Sequence, residues 1–519
     1  MKQKSELREL NGRKLLYVDG EPFLILGLQL NCDSCYDPVT MDRLLKNARK
    51  MGCNSVALLL YWRLIEPEEG KYDFSILQAM LDSAKRHDLK IVLVWFGAYK
   101  NATMHYAPDW LIEDPKRFRR VQRADGTELR YQACFRCEQT LEKDRSAVAA
   151  VFAYLREHDR ERSVILFQVN NETGVLGGTD RCYCAECREK YAAGDYETRY
   201  PGRAAEVFMA ESNLRYQEAV AEAARREYDL PCYMNAWLAF PNPTSKAGYT
   251  YPGGGPVFRV LDIFCEQKKN IDFVSPDIYV TGYRDFHRIC SDYSRENNPL
   301  YIAEHGLGRD SRAYKNVYYA FGTFAALGFD PWAIDCAFPD VMEPPLCDAV
   351  HERWNDEAYD ILESYLPIRS AMIPVAENMG TDRLRTWVQE EGEKESFFEF
   401  DDACIQIGFS NNAQNSGSCN FQAGGTRAAS RGMVIRLGDK KYLTLGCKSF
   451  VQFLDPEGHP AEILRSERGH FEGRSFVPEA QNTIAFETRR CCIWMKEASV
   501  CVTTRSEERR VGKECRSRW

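Results

Sequence analysis

Eight short apolar runs, each separated from the next by segments of helical periodicity, leave this 519-residue chain very few folds to adopt. The runs are Phe23–Leu30, Ser55–Leu60, Ile91–Phe96, Val164–Val169, Cys232–Trp237, Phe273–Tyr279, Leu300–Ala303 and Trp332–Asp335. They are near-continuously apolar, as strands covered on both faces must be, and do not alternate like a sheet with one wet face. Between them stand patterns such as Met41, Leu44, Leu45, Ala48 and Met51, or the stretch Phe74–His87, whose spacing lays one apolar stripe along a helix. Strand then helix, repeated eightfold, predicts an α/β fold, the (β/α)8 TIM barrel, with right-handed crossovers and its chemistry on loops at the strands' C-terminal ends.

After about Tyr365 the pattern changes. Ala403–Gly408 alternates like a strand, and Met433 to Leu445 reads as a hairpin turning at Gly438-Asp439. A barrel domain over residues 1–365 and a smaller antiparallel β domain over 366–504 are therefore expected, joined around Leu366–Pro374. The stretch Arg505–Trp519 back-translates codon by codon to a common sequencing-library adapter, so 505–519 is read as an assembly artefact. The small domain is then expected to be truncated. That stretch has five Arg and one Lys against three Glu, which leaves −11 on the remainder where the whole chain carries −8.

An acidic balance argues against a nucleic-acid partner, which usually meets a basic face. No segment approaches the roughly 18 uninterrupted apolar residues of a membrane span, and the first ten residues lack the apolar core of a signal peptide. A cytoplasmic protein without a membrane partner is expected. Its 20 cysteines then read as reduced thiols and metal ligands rather than a disulfide framework.

The strand ends are Gln29 and Asn31, Tyr61 and Trp62, Trp95, Asn171 and Glu172, Asn235 and Trp237, Asp277 and Tyr279, Glu304, then Trp332 and Asp335. All eight exit into polar or aromatic residues, which suggests one polar cavity with aromatic walls, suited to sugar rings. Glu172 and Glu304 stand out, because a carboxylate directly after a buried strand has little packing reason to be there. With Glu172 after strand four and Glu304 after strand seven, both face one barrel mouth. Hydrolysis of a glycoside with retention needs two such carboxyl groups, one to protonate the leaving oxygen and one to attack the anomeric carbon, about 5 to 5.5 Å apart. Mutual repulsion would raise the proton affinity of one of them. Asn171 is the natural donor to a substrate hydroxyl.

These residues carry a resemblance. The pair Asn171-Glu172, Glu304, and the run Tyr61 to Phe74 resemble the retaining (β/α)8 glycosidases of the clan that holds β-galactosidase families 35 and 42. Phe96–Asn101, Asn235–Leu238, Tyr251–Pro256 and Ser275–Tyr279 resemble more closely a bacterial β-galactosidase-like subgroup with a C-terminal β domain of undefined role. The resemblance spans Asp19 to about Asp340. It implies a retaining exo-β-glycosidase acting as a β-galactosidase on a small oligosaccharide or glycoside, with no cofactor for catalysis. It gives Glu172 as acid/base, Glu304 as nucleophile, Asn171 as sugar ligand and Tyr279 as support for the nucleophile. Lys100, Asn101, Asn235, Trp237 and Trp332 are implied pocket residues, and family 42 rings imply a homo-oligomer by analogy. Asn170 departs from the pattern, since relatives often carry glutamate there.

Cys182, Cys184 and Cys187, with Cys134 and Cys137 upstream, have the makings of a tetrahedral zinc site, although their spacing alone equally suits unpaired thiols. The resemblance to family 42 implies a structural zinc on Cys134, Cys182, Cys184 and Cys187, with Cys134 fitting the upstream position better than Cys137. Cys32-Asp-Ser-Cys35 has redox spacing but reads as pocket lining. Walker, H-E-x-x-H and dinucleotide motifs are absent from the sequence. The competing readings are a β-glycosidase for glucose, arabinose or a uronic acid, a sugar-binding barrel that does not cut, and, for carboxylates near 9 Å apart, an inverting hydrolase.

Overall fold

The computed structural model describes residues 3–280, 282–306, 313–333, 348–409, 429–455, 458–459, 461, 463–481, 492–495 and 499–505. The chain divides into two compact units, Met1–Tyr365 and Leu366–Trp519.

In the first unit eight parallel strands lie side by side: β1 (Ile25–Leu26), β2 (Ser55–Tyr61), β3 (Lys90–Phe96), β4 (Val164–Gln168), β5 (Cys232–Trp237), β6 (Phe273–Ile278), β7 (Ile302–His305) and β8 (Gly328–Pro331). β8 pairs with β1, and Gln29 bridges in parallel to both Ala57 of β2 and Trp332, which closes the ring into a barrel. All seven residues of β2 and all five of β4 are buried, which accounts for their unbroken apolar character. The helix Pro38–Lys50 forms where its signals place it. Asp37 accepts the Thr40 N–H at 2.8 Å, Pro38 opens the first turn, Arg49 and Lys50 close the last, and the buried stripe is Met41, Leu44, Leu45 and Ala48. The helix Ser75–Arg86 buries Ile76, Leu77, Met80 and Leu81 in the same way.

The expected barrel is present, with three adjustments. The last strand is Gly328–Pro331, ahead of the expected Trp332–Asp335; Trp332 and Ala333 follow it, and residues 334–335 lie outside the described residues. Gly, Asp and Pro in that strand read as punctuation, yet a Cβ at Gly328 would lie 2.4 Å from Ile25 Cβ, so β1 and β8 can approach only at glycine. Regular pairing in β1 is confined to two residues. Glu304 lies within β7 rather than past its end. Ahead of the barrel, Glu6–Leu10, Arg13–Val18 and Glu21–Pro22 form a small antiparallel sheet that the reading of the sequence passed over. Its turns, Asn11-Gly12 and Asp19-Gly20, have positive φ at both residues, as two-residue hairpins require.

The second unit holds two antiparallel sheets, which agrees with the expected fold class. One orders Leu384–Val388, Arg431–Gly438, Lys441–Cys447, Ser499–Arg505, Ile463–Glu472 and Ser475–Gln481; the other orders Glu395–Phe400, Ala403–Phe409, Ser449–Leu454 and Cys492–Met495. Alternate residues Ala403, Ile405, Ile407 and Phe409 enter a core with Trp387, Val434, Tyr442, Val451 and Phe453. The expected hairpin turns at Asp439-Lys440, one residue later than placed. Arg505 ends the last described strand, and residues 506–519, which make up the rest of the adapter-like stretch, lie outside the described residues.

Candidate active site

Glu172 sits four residues beyond β4 in a backbone that other residues hold in place. Asn170 and Glu172 have φ of 58° and 45°, and Asn101 and Ala102 on the loop after β3 have φ of 52° and 58°. Non-glycine residues in this left-handed region each cost about 1 to 3 kcal/mol and persist only where the surroundings impose them. Here the two loops are laced together. Asn171 N donates to Tyr99 O at 3.1 Å, Asn101 N to Asn171 O at 3.2 Å and Ala102 N to Glu172 O at 3.1 Å. Asn235 on β5 accepts the Glu172 N–H at 2.8 Å, so it fixes the Glu172 backbone. Beneath them Asn170 accepts the Tyr99 N–H at 3.1 Å and donates to Gln217 at 2.7 Å.

Glu304 reaches the same place from β7. One oxygen each of Glu172, Asp277 and Glu304 lie within 4.8 Å of one another, and the residues are buried, with Glu172 at 6% and Glu304 at 3% exposure. Both oxygens of Glu304 are held. Oε1 accepts from Gln29 Nε2 at 2.8 Å, Asn171 Nδ2 at 3.2 Å and Asn235 Nδ2 at 3.5 Å, while Oε2 accepts from Tyr279 Oη at 2.6 Å. Asp277, the register partner of Glu304 across β6 and β7, accepts from Asn235 Nδ2 at 2.7 Å.

Burial first, and the Glu304 charge second, push the Glu172 carboxyl up to about 7, against opposing pulls from Lys100 and Asp277. Repulsion alone was the expected cause, but desolvation is the larger one. Burial, then the charges of Glu304 and Glu172, holds Asp277 well above the usual carboxylate range. Burial works against the Lys100 ammonium too, yet Glu304, Cys32, Glu172 and Asp277 together keep its pKa above the ordinary value. Its Nζ donates to Asn101 Oδ1 and lies 5.1 Å from the centre of the Phe96 ring. Desolvation of its hydroxyl and the Glu304 charge keep Tyr279 a phenol, although 47% of the residue as a whole is exposed.

The structure thus brings together Glu172, Glu304, Asn171, Asn235, Tyr279, Lys100 and Asn101. Trp237 ends β5 at 36% exposure and Trp332 is half-buried after β8; neither indole makes a hydrogen bond to the three carboxyls among the described residues. Gln29 and Asp277 belong to the site, but the sequence reading gave them only as strand ends. Polarity at a strand's C-terminal end was the signal that could have marked them.

The loops bearing Glu172 also carry a thiol cluster. Cys134, Cys182, Cys184 and Cys187 are buried with their sulfurs within 4.8 Å of one another, and Cys134 Sγ lies 3.7, 3.9 and 3.6 Å from the other three in that order. A tetrahedral zinc with bonds of about 2.3 Å spaces its sulfurs about 3.8 Å apart, so the four positions fit that metal. Cys137 lies outside the cluster, just ahead of the helix Glu138–His158, with its sulfur accepting from Arg119 N at 3.3 Å.

A family model described as Beta-galactosidase, of glycoside hydrolase family 42, matches residues 35–207, and a Domain of unknown function (DUF5597) matches residues 359–481. Beta-galactosidase BgaA of a Thermus species is 30% identical over 288 residues, covering 48% of this chain and 42% of its own. Beta-galactosidase of Thermus thermophilus is 26% identical over 321 residues, 53% of this chain and 47% of its own. Beta-galactosidase LacZ of Lactobacillus acidophilus is 25% identical over 154 residues, 29% of this chain and 21% of its own. The chain spans less than half the length of each of these curated relatives. The barrel-forming part of the chain is thus similar to the β-galactosidase-like clan of glycoside hydrolases, and the part that follows it to a domain of unknown function.

Proposed function

We propose that this chain is a retaining exo-β-glycosidase that cleaves β-linked galactosides. The observation that carries the reading is the convergence of Glu172 and Glu304, with one carboxyl oxygen of each within 4.8 Å of the other, which supports double displacement over inversion, where the groups stand about 6.5 to 9.5 Å apart. Glu304, held by Tyr279 and three amides, attacks the anomeric carbon as the bond to the leaving oxygen breaks, and protonated Glu172 gives that oxygen its proton. Glu172, now a carboxylate, takes a proton from the water that displaces Glu304. Asn171, expected as a donor to a sugar hydroxyl, has Nδ2 on Glu304, and its Oδ1, which has no partner among the described residues, is offered to that hydroxyl as an acceptor instead. Galactose as the sugar rests on the names of the relatives.

The four clustered cysteines would hold a zinc with no open position, bracing the loop after Glu172 and supplying no step of the reaction. A cytoplasmic setting rests on the reading of the sequence; among the described residues no helix is long and apolar enough to cross a membrane. Assembly into a homo-oligomer rests on the family 42 analogy. A panel of chromogenic β-glycosides tests the sugar, and proton NMR of the first-formed anomer tests retention. Release of galactose as the β-anomer is expected; release of the α-anomer, or no turnover of any glycoside, overturns the reading.

A further inference from the structure

Three carboxyl groups crowd within 4.8 Å, yet the proposed reaction uses two. The third, Asp277, is 2% exposed, and hydrogen bonding fixes which of its oxygens can bear a proton. Oδ2 accepts from Asn235, whereas Oδ1 has no partner among the described residues. Glu304 has donors on both oxygens. Among the described residues one ammonium, that of Lys100, faces the group, with the thiol of Cys32 and the phenols of Tyr233, Tyr279 and Tyr293. Among the described residues that one cation balances one carboxylate, and the donors on both of its oxygens assign the charge to Glu304. Glu172 and Asp277, which bring one carboxyl oxygen each within 4.8 Å of the other, are left as the protonated members.

We infer that Asp277 is a positioning residue for the acid/base, keeping a proton on Oδ1 and donating it as a hydrogen bond to Glu172 whenever Glu172 is ionised. The inference deepens the proposed glycosidase reading and rests on it. In the first half of the cycle the Glu172 proton moves to the leaving oxygen, the glycosidic bond breaks and Glu304 bonds to the anomeric carbon. A bare Glu172 carboxylate would then face a buried neighbour, and the Asp277 O–H stabilises it. In the second half a water proton passes to Glu172 as the water oxygen displaces Glu304. Asp277 ends with the proton it began with.

The first test needs no turnover. Infrared difference spectra of the full chain minus Asp277→Asn are recorded at pH 8.5, above the Glu172 midpoint near 7. A protonated-carboxyl C=O band that is lost in the variant is expected; its absence from the parent overturns the inference. The second test is the pH profile of kcat/KM on a glycoside with a poor leaving group. Asp277→Asn replaces a neutral donor with a neutral donor, so its alkaline limb should stay in place whatever happens to the rate. Asp277→Leu, shown to fold by circular dichroism, should shift that limb to higher pH by about one unit, a tenfold change in proton affinity. A downward shift in Asp277→Asn means that residue 277 was a carboxylate, and an unmoved limb in Asp277→Leu means it does not act on Glu172; either overturns the inference. If no glycoside is turned over, the glycosidase reading falls, while the infrared band still reports the proton.

Discussion

Tyr279 reaches Glu304 from the neighbouring strand end, its Oη donating to Oε2 at 2.6 Å, and residue 306 must be glycine for the tyrosine ring to lie there. A Cβ at Gly306 would stand 2.0 Å from Tyr279 Cδ1. Tyr279→Phe keeps the ring and removes the donor. Single-turnover glycosylation is expected to slow by about 10- to 100-fold, at or below the usual effect of deleting one preorganised donor. Gly306→Ala should slow it as well, by displacing the ring, and an unchanged rate in both variants would remove Tyr279 from the mechanism.

Glu304→Ala should abolish turnover of an activated aryl glycoside, and azide should restore release of the aryl group by entering the space of the lost carboxylate. The azide adduct is expected to be the α-glycosyl azide. Failure of rescue by a folded variant counts against Glu304 as nucleophile.

Glu172→Gln should slow substrates with poor leaving groups by about 100-fold or more, within the usual range for a positioned acid, and activated ones far less. In the parent, Glu172 must be protonated to act, so kcat/KM should fall as pH rises through about 7. Equal losses on both substrate classes would argue against its role as acid.

Elemental analysis of purified protein should find about one zinc per chain. Cys184→Ser should lose that metal and lower the melting temperature, with kcat/KM falling as the loop after Glu172 loosens. Metal retained in full by this variant would disprove the four-cysteine site.

Asp330 offers a test of the barrel's interior. It is fully buried, with one oxygen accepting from Tyr301 Oη at 2.6 Å and the other unpartnered among the described residues, and burial lifts its carboxyl to about 8. The folded form holds this proton where the unfolded chain releases it, so the contribution to stability is whole below about pH 4 and is lost as pH rises towards 8. The melting temperature of Asp330→Asn relative to the parent should therefore climb between pH 4 and 8. A constant difference would show that Asp330 does not titrate in this window.

Much of the candidate site was legible in the sequence, because polar residues in this fold gather at strand ends. Glu172, Asn171, Tyr279 and Glu304 each sit at or near the end of an apolar run. What escaped was of two kinds. β8 is built on Gly, Asp and Pro, residues that mark turns, and only close packing against Ile25 explains them. Asp277 and Gln29 look like their polar neighbours in sequence, and their parts depend on partners 27 and 275 positions away along the chain.

The sequence by itself determined the barrel, since period and apolarity are local properties that eight buried strands must display. It also supplied two glutamates and four clustered cysteines, as residue types whose presence calls for a reason. Only the tertiary structure decided which oxygens meet, which hydrogen bonds fix their charge, and that burial more than repulsion raises Glu172. Those are matters of a few ångströms between segments far apart in the chain, and electrostatic energy depends on that separation and on the water excluded from it, neither of which a linear order of residues contains.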